Sequence, residues 1–174
     1  AAGSVAAGEV NGDRRADLLI GAPETDNNDR SQSGSVYVVF GGARRGQLDL
    51  ATLAAGYRVD GAEDGDQAGW SVGRVGDVNG DGRADMLVGA PLADNNERIE
   101  SGSAYVVLGK GSTAGIDLAF STSVRLQIDG ADTAERARWS VAGAGDVNGY
   151  RRPHFVVGAP WANANGRFFS GSVY

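Results

Sequence analysis

Four side chains with oxygen donors occur at regular spacing within residues 77–85. They occupy positions 1, 3, 5 and 9 of that segment and are Asp77, Asn79, Asp81 and Asp85. The Arg83 carbonyl would add a fifth oxygen at position 7, and Gly82 at position 6 permits a tight turn. Hard cations such as Ca2+ take about six to eight oxygens from loops of this kind. The spacing therefore predicts a calcium site, and the alternative is an ordinary Asn-Gly/Asp-Gly turn between two strands.

The composition of the 174-residue chain restricts the classes of protein to which it can belong. Cysteine is absent, which excludes disulfides, thiolate nucleophiles and Cys-zinc sites. The net charge is −6, Lys110 is the sole lysine and the arginines are scattered, which argues against a nucleic-acid-binding surface. No apolar run approaches the roughly 18 residues that a membrane-spanning helix needs. Because a calcium-dependent fold favours a calcium-rich compartment, we expect an extracellular or cell-surface protein.

The oxygen-rich segment belongs to a repeated unit. Residues 9–13 match residues 77–81, and residues 146–150 match both. A Gly-Ala-Pro triplet follows each copy and begins at Gly21, Gly89 and Gly158. A further shared element begins at Ser33, Ser101 and Ser170. The fixed order of these elements predicts repeat units at about 1–68, 69–137 and 138–174, the last of them incomplete.

Each unit is predicted to contain four β-strands. Short apolar runs, such as 70–73 and 17–21, flank the oxygen-rich loop as first and second strands, and we expect the second strands to be buried on both faces. The third strand is predicted at 34–40. The fourth, at 57–60, alternates apolar and polar residues. The one helical turn that we expect lies within 48–55.

Four antiparallel strands in each repeat predict a β-propeller, an all-β fold in which four-stranded blades stack around an axis. The chain provides about two and a half blades, whereas propellers have about four to eight. We therefore expect a part of a longer propeller. The alternative is a subunit that associates with copies of itself to complete the ring.

These repeats resemble the FG-GAP repeats of integrin α-subunit propellers and of their bacterial relatives. Phe40-Gly41, with Leu108-Gly109 in the next unit, resembles the "FG" element, and the Gly-Ala-Pro triplets resemble the "GAP" element. Residues 77–85 resemble the family's Asp-x-Asp-x-Asp-Gly-x-x-Asp calcium site. The resemblance implies a seven-bladed propeller. It also implies calcium on the loops between strands 1 and 2 and a role in extracellular binding or adhesion.

The resemblance assigns metal-binding positions to two units. In the second unit they are Asp77, Asn79, Asp81, Arg83 through its carbonyl, and Asp85. In the first unit they are Glu9, Asn11, Asp13, Arg15 through its carbonyl, and Asp17. Arg14 replaces the position-6 glycine there, so strain of about 1 kcal/mol is expected if that position requires a positive φ.

The third unit departs from the metal-binding pattern. Asp146 and Asn148 remain, but Tyr150, Arg151 and His154 replace the residues at positions 5, 6 and 9. Of the three loops, this one is the least expected to hold a metal. Neutral histidine suits zinc better than calcium, and we expect His154 to be an ordinary surface side chain.

A protein or glycan partner is expected on the face opposite the calcium loops, where the longer connections gather. The candidate anchors are Trp161, Arg167, Phe168 and Phe169. The alternative for the two phenylalanines is packing beneath their own loop. Trp70 and Trp139 are predicted to pack between blades. Residues 26–29 and 94–97 are interpreted as solvated loop tips rather than further cation sites.

No catalytic set is recognisable in the sequence. His154 is the single histidine, and no Gly-x-Ser-x-Gly motif precedes a helix. Asp64 and Asp66 form a carboxylate pair, but we expect no enclosing apolar pocket that would raise a pKa there. The leading hypothesis is a non-catalytic, calcium-binding adhesion module. The alternative is the scaffold portion of a secreted, phospholipase-like hydrolase.

Overall fold

The computed structural model of the protein describes residues 3–42, 47–131, 140–160, 162 and 170–174. The candidate anchors Trp161 and 167–169 lie outside these described residues, as does Trp139. The predicted roles of those residues therefore stay predictions.

The described residues form β-strands and one short 3-10 helix. The strands are β1 (Ser4–Gly8), β2 (Asp17–Ala22), β3 (Ser35–Val39), β4 (Gly56–Asp60), β5 (Ser71–Gly76), β6 (Asp85–Ala90), β7 (Ser103–Val107), β8 (Ile116–Asp117), β9 (Val124–Asp129), β10 (Ser140–Gly145), β11 (His154–Ala159) and β12 (Ser172–Val173). The 3-10 helix spans Leu50–Thr52, within the segment predicted to contain a helical turn. Within the described part of the chain, no helix has the length and apolar character needed to cross a bilayer.

The strands form three sheets, which we call the first, second and third blades. The first contains β1-β2-β3-β4, the second β5-β6-β7-β9 and the third β10-β11-β12, and neighbours in this order pair antiparallel. Strands β1 and β10 both contact β5, so the second blade stacks between the other two. The prediction of an all-β fold built from propeller blades is confirmed.

Strand β8 is a feature that the repeats did not indicate. It lies in the connection between β7 and β9 of the second blade, yet it pairs in parallel with β4 of the first blade. Val59 is opposite Ile116, and Asp60 is opposite Asp117. The side chains of Arg30 and Asp117 form an ion pair of 2.6 Å beside this contact. The connection of one blade therefore extends the sheet of its neighbour.

The hydrophobic core lies between the blades rather than within any one of them. All six residues of β6 are buried, because this strand has a blade on each side. The expectation that second strands are buried on both faces is wrong for the other two blades. Leu18 in β2 is 46% exposed and Val156 in β11 is 40% exposed. These side chains lie on blade faces that no other described part of the chain covers.

Candidate metal-binding loops

The oxygen-rich segments lie between the first and second strands of each blade, where the sequence placed them. We call residues 9–17 loop 1, residues 77–85 loop 2 and residues 146–154 loop 3. Each loop leaves the first strand of a blade and enters the second strand at or beside position 9. Because β1, β5 and β10 pack side by side, the loops are neighbours at one end of the stacked blades.

Loop 2 is folded by its own polar side chains. The carboxylate of Asp77 accepts hydrogen bonds from the N–H groups of Gly80 and Gly82, both at 2.7 Å. Asn79 Oδ1 accepts from the Asp81 N–H at 3.0 Å, and Asp81 Oδ1 accepts from the Arg83 N–H at 2.9 Å. These side-chain-to-backbone bonds are typical of tight Asx turns. They hold the oxygens at positions 1, 3 and 5 on one short arc of chain.

The donor set of loop 2 suits a hard cation. Each carboxylate oxygen has more than one lone pair, so a bond to an N–H group leaves acceptor capacity for a metal. In the described part of the chain, no three Asp, Glu, His or Cys side chains are gathered closely enough to form a ready metal centre. A cation at this loop would therefore also need the Asn79 amide oxygen and backbone carbonyl oxygens.

Charge within loop 2 favours an ionised Asp81. Burial is the largest single effect and opposes ionisation, but hydrogen bonds from the Arg83 N–H and the Asn79 amide, together with the Arg83 charge, outweigh it and lower the pKa of the Asp81 carboxyl. The side chain is exposed, and its Oδ2 lies 3.4 Å from Arg83 Nη1. A negatively charged oxygen is therefore present at position 5 at neutral pH.

The position-9 aspartate has a structural role that the spacing did not reveal. Asp85 is fully buried, and its two oxygens accept hydrogen bonds from the N–H groups of Val78 at 2.8 Å and Gly109 at 2.9 Å. Asp17 does the same in the first blade, with Val10 at 2.8 Å and Gly41 at 2.7 Å. These aspartates tie the start of each loop to the glycine of the "FG" element. The recurrence of aspartate at position 9 was visible in the sequence, but sequence reasoning assigned it only to metal binding.

The glycine of the "FG" element is needed because backbone segments approach it closely. A methyl group at Gly109 would lie 2.4 Å from the carbonyl oxygen of Ala84 and 2.7 Å from that of Val10. Both distances are too short for any carbon–oxygen contact. Gly109 therefore lies where loop 2 of its own blade meets loop 1 of the neighbouring blade.

Burial and the surrounding charges change the pKa of the Asp85 carboxyl. Burial raises the pKa of its carboxyl, and the charges of Asp81 and Asp77 raise it further, while the N–H bonds from Gly109 and Val78 oppose that change. The negative charges of Asp77 and Asp81 therefore disfavour ionisation of the buried Asp85. A bound cation would relieve that repulsion.

Loop 1 repeats the hydrogen-bond pattern of loop 2. Glu9 accepts from the Gly12 N–H, Asn11 from the Asp13 N–H at 2.9 Å, and Asp13 from the Arg15 N–H at 2.8 Å. Position 6 does require a positive φ, since φ is 67° at Arg14 and 86° at Gly82 of loop 2. The condition for strain at Arg14 is therefore met.

Loop 3 keeps the first part of the pattern and loses the last. Asp146 accepts from the Arg151 N–H at 2.7 Å, and Asn148 accepts from the Tyr150 N–H at 3.1 Å. At position 9, where Asp17 and Asp85 each accept hydrogen bonds from two backbone N–H groups, loop 3 has His154. Its Nε2 lies 3.1 Å from Asn148 Nδ2. Val147 is 66% exposed, whereas its counterpart Val10 in loop 1 is fully buried.

The connections on the opposite face contain a second repeated feature. The Asn27 N–H and C=O pair with those of Arg30, and Asn28 and Asp29 between them have positive φ. The interpretation of residues 26–29 as a solvated loop tip is wrong for Asn27. Its side chain is 6% exposed and donates to the Gly34 carbonyl at 2.7 Å, because this amide fastens the turn to the start of β3.

The expectation that no pocket encloses Asp66 and raises its pKa is also wrong. This residue is 3% exposed and lines a cavity of about 310 Å³ together with Tyr105, Leu118 and the acidic residues Glu63 and Asp94. Burial raises the pKa of its carboxyl to about 7, with further contributions from the charges of Glu63 and Asp94. The connection folds over the side chain, an enclosure that a Gly-rich sequence did not indicate.

Stacked four-stranded blades with an oxygen-rich loop between their first and second strands define the chain as a β-propeller segment. A model of the FG-GAP repeat matches residues 1–39 and 68–107. These matched segments contain loops 1 and 2 and the first three strands of the first two blades. The chain is an FG-GAP repeat protein.

Comparison with known proteins finds relatives of two kinds. The chain is 34% identical to cattle phosphatidylinositol-glycan-specific phospholipase D over 176 residues, which cover 95% of this chain and 20% of that protein. It is 30% identical to Drosophila melanogaster integrin alpha-PS2 over 176 residues, covering 98% of the chain and 11% of the integrin. For Caenorhabditis briggsae integrin alpha pat-2 the identity is 31%, over 94% of the chain and 13% of the relative. The chain therefore spans a fifth or less of the length of these proteins.

Proposed function

We propose that the chain belongs to a calcium-binding, extracellular propeller that acts as a binding or cell-adhesion module and has no catalytic group of its own. The observation that carries the proposal is loop 2, where half-buried Asp77 and exposed Asn79 and Asp81 carry oxygens on one short arc of chain that ends at the buried Asp85. A divalent cation would offset the repulsion among the carboxylates. The relatives named as integrin α-chains support the adhesion role.

The proposed ligands follow the two repeats. In loop 2 they are Asp77, Asn79, Asp81, the Arg83 carbonyl and Asp85, and in loop 1 they are Glu9, Asn11, Asp13, the Arg15 carbonyl and Asp17. Calcium at these loops would supply charge neutralisation and rigidity. The chain's own residues supply the turn geometry, since positive φ at position 6 and the Asx turns bring the donors to one side of the loop.

Thermal unfolding with and without calcium tests the proposal. With calcium at about 100 times its dissociation constant, one site adds roughly 2.7 kcal/mol to the free energy of unfolding. For a chain of this length, that corresponds to a Tm increase of roughly 5–10 °C relative to chelator. Asp81→Ala should remove most of the increase.

Asp146→Ala in loop 3 is the matched control, because it deletes an exposed aspartate from the loop that lacks an acidic residue at position 9. It should change the calcium response much less than Asp81→Ala does. A wild-type melting curve that is identical in calcium and in chelator would contradict the assignment. Equal losses of the calcium-dependent Tm increase in the two variants would show that loop 2 is wrongly ranked above loop 3 as a metal site.

A second candidate function is the propeller scaffold of a secreted hydrolase. The 34% identity to a phosphatidylinositol-glycan-specific phospholipase D favours it. The two candidates differ in what accompanies the propeller in the natural protein. Mass and sequence of the protein isolated from its source would reveal a catalytic domain in the second case, and adhesive modules or a membrane anchor in the first.

We place the partner, a protein or a glycan, on the face opposite the metal-binding loops. The connection between β2 and β3 is fastened there by Asn27, and Arg30 crosses from it to Asp117 at 2.6 Å. A rigid, well-anchored surface loses little conformational entropy on binding. The exposed faces of β2 and β11, at Leu18 and Val156, also make self-association to complete a propeller part of the proposal.

A further inference from the structure

Loops 1 and 2 contact each other directly across the boundary between two blades. The Ala84 N–H, at position 8 of loop 2, donates a hydrogen bond of 2.8 Å to the Glu9 carbonyl at position 1 of loop 1. The Arg83 side chain lies over Gly12, so that a methyl group there would be 3.3 Å from Arg83 Nε. Ala84 is itself 6% exposed, so water does not compete freely for its hydrogen bond.

The residues in this contact are proposed cation ligands, or they lie next to a proposed ligand in the chain. Glu9 is a proposed ligand of loop 1, and Arg83 is a proposed carbonyl ligand of loop 2. The Arg83 guanidinium reaches Asp81 Oδ2, 3.4 Å from Nη1, within loop 2 while its stem covers loop 1. Any change that fixes the backbone of one loop therefore restricts the backbone of the other.

We propose that loops 1 and 2 bind divalent cations with positive coupling, transmitted by the Ala84–Glu9 hydrogen bond and the Arg83 side chain. This inference rests on the proposed calcium function. A cation in loop 1 orders Glu9, and through Glu9 it orders the last part of loop 2, so the second cation orders less chain when it binds. Coupling of this kind is reciprocal, because each cation strengthens the binding of the other by the same factor.

The chain contains an internal control for this coupling. The residue of loop 3 that corresponds to Ala84 is Pro153, which has no N–H group. Loop 3 therefore cannot donate the corresponding hydrogen bond to the Asp77 carbonyl of loop 2. Coupling through this hydrogen bond is expected between loops 1 and 2 and not between loops 2 and 3.

Calcium titration of the whole chain by isothermal calorimetry tests the inference. Asp13→Ala removes the position-5 carboxylate of loop 1, which is exposed. We expect the remaining site in loop 2 to bind calcium about fivefold or more weakly than in the wild type. Asp146→Ala in loop 3 should leave the affinity of loop 2 unchanged.

Two further variants test the route of coupling. In an Ala84→Pro background, which reproduces loop 3, Asp13→Ala should no longer weaken binding at loop 2. Arg83→Ala, which truncates a partly exposed side chain, provides a second background if Ala84→Pro does not fold. If Asp13→Ala weakens calcium binding at loop 2 less in that background than in the wild type, the result supports the route.

The possible failures are distinguishable. Unchanged loop 2 affinity in Asp13→Ala would overturn the coupling and leave calcium binding intact. An undiminished effect of Asp13→Ala in the folded backgrounds would overturn the route. The absence of any calcium heat in the wild type would overturn the proposed function itself.

Discussion

Replacing Asp66 with asparagine should stabilise the protein at neutral and alkaline pH. The pKa of this buried carboxyl is about 7, against an ordinary value of 3.8, because burial and the nearby charges of Glu63 and Asp94 disfavour its ionised form. The difference of about 3 pK units corresponds to an upper value of roughly 4 kcal/mol. Between these two pKa values the folded state binds more protons than the unfolded state. The free energy of unfolding therefore falls as the pH rises from about 4 to about 7.

Urea unfolding at several pH values, with calcium held constant, measures this effect. Asp66→Asn keeps an oxygen to accept the Glu63 N–H, 3.0 Å from the present carboxylate. We expect the variant to be more stable than the wild type by roughly 2–4 kcal/mol at pH 8, and the difference to vanish near pH 4. Asp64→Asn, an exposed aspartate of the same connection, is the control and should change little. A difference that is constant with pH, or a destabilised variant at pH 8, would refute the reasoning.

Two further predictions concern backbone geometry near the loops. Gly109→Ala should destabilise the fold by about 1–3 kcal/mol in urea unfolding, because its methyl group would overlap the Ala84 carbonyl oxygen, whereas Gly42→Ala, which meets no atom within 4 Å, should not. Equal effects of the two substitutions would contradict the close approach described here. Gly82→Ala should cost about 1 kcal/mol through its φ of 86° alone, since no neighbouring atom lies within 4 Å of the added methyl group. An unchanged unfolding midpoint would show that position 6 relaxes without strain.

Repetition made the architecture predictable from sequence. The same strand and loop residues recur in the same order, so an error in one copy could be corrected from another. The 3-10 helix at Leu50–Thr52 and the position of loop 2 between β5 and β6 follow directly from that reading. The sequence left positive φ at position 6 as a condition, and the structure meets it, with φ of 67° at Arg14 and 86° at Gly82.

The features that the sequence did not predict depend on contacts between distant residues. Asp66 is buried by a connection whose composition suggests only an exposed turn. Asp85 is read from its spacing as a metal ligand, whereas its two hydrogen bonds to backbone N–H groups, one of them from Gly109, appear only in three dimensions. Leu18 is apolar like its counterpart in β6, but its exposure depends on whether another blade covers it.

The two-residue strand β8 has a consequence for how copies of this chain remain separate. It pairs with the outer edge of β4 at Val59 and Asp60, so that backbone groups there already have partners. Unpaired strand edges act as templates for the addition of strands from other molecules. By occupying the edge of β4 at these two residues, β8 blocks that route of intermolecular sheet growth there.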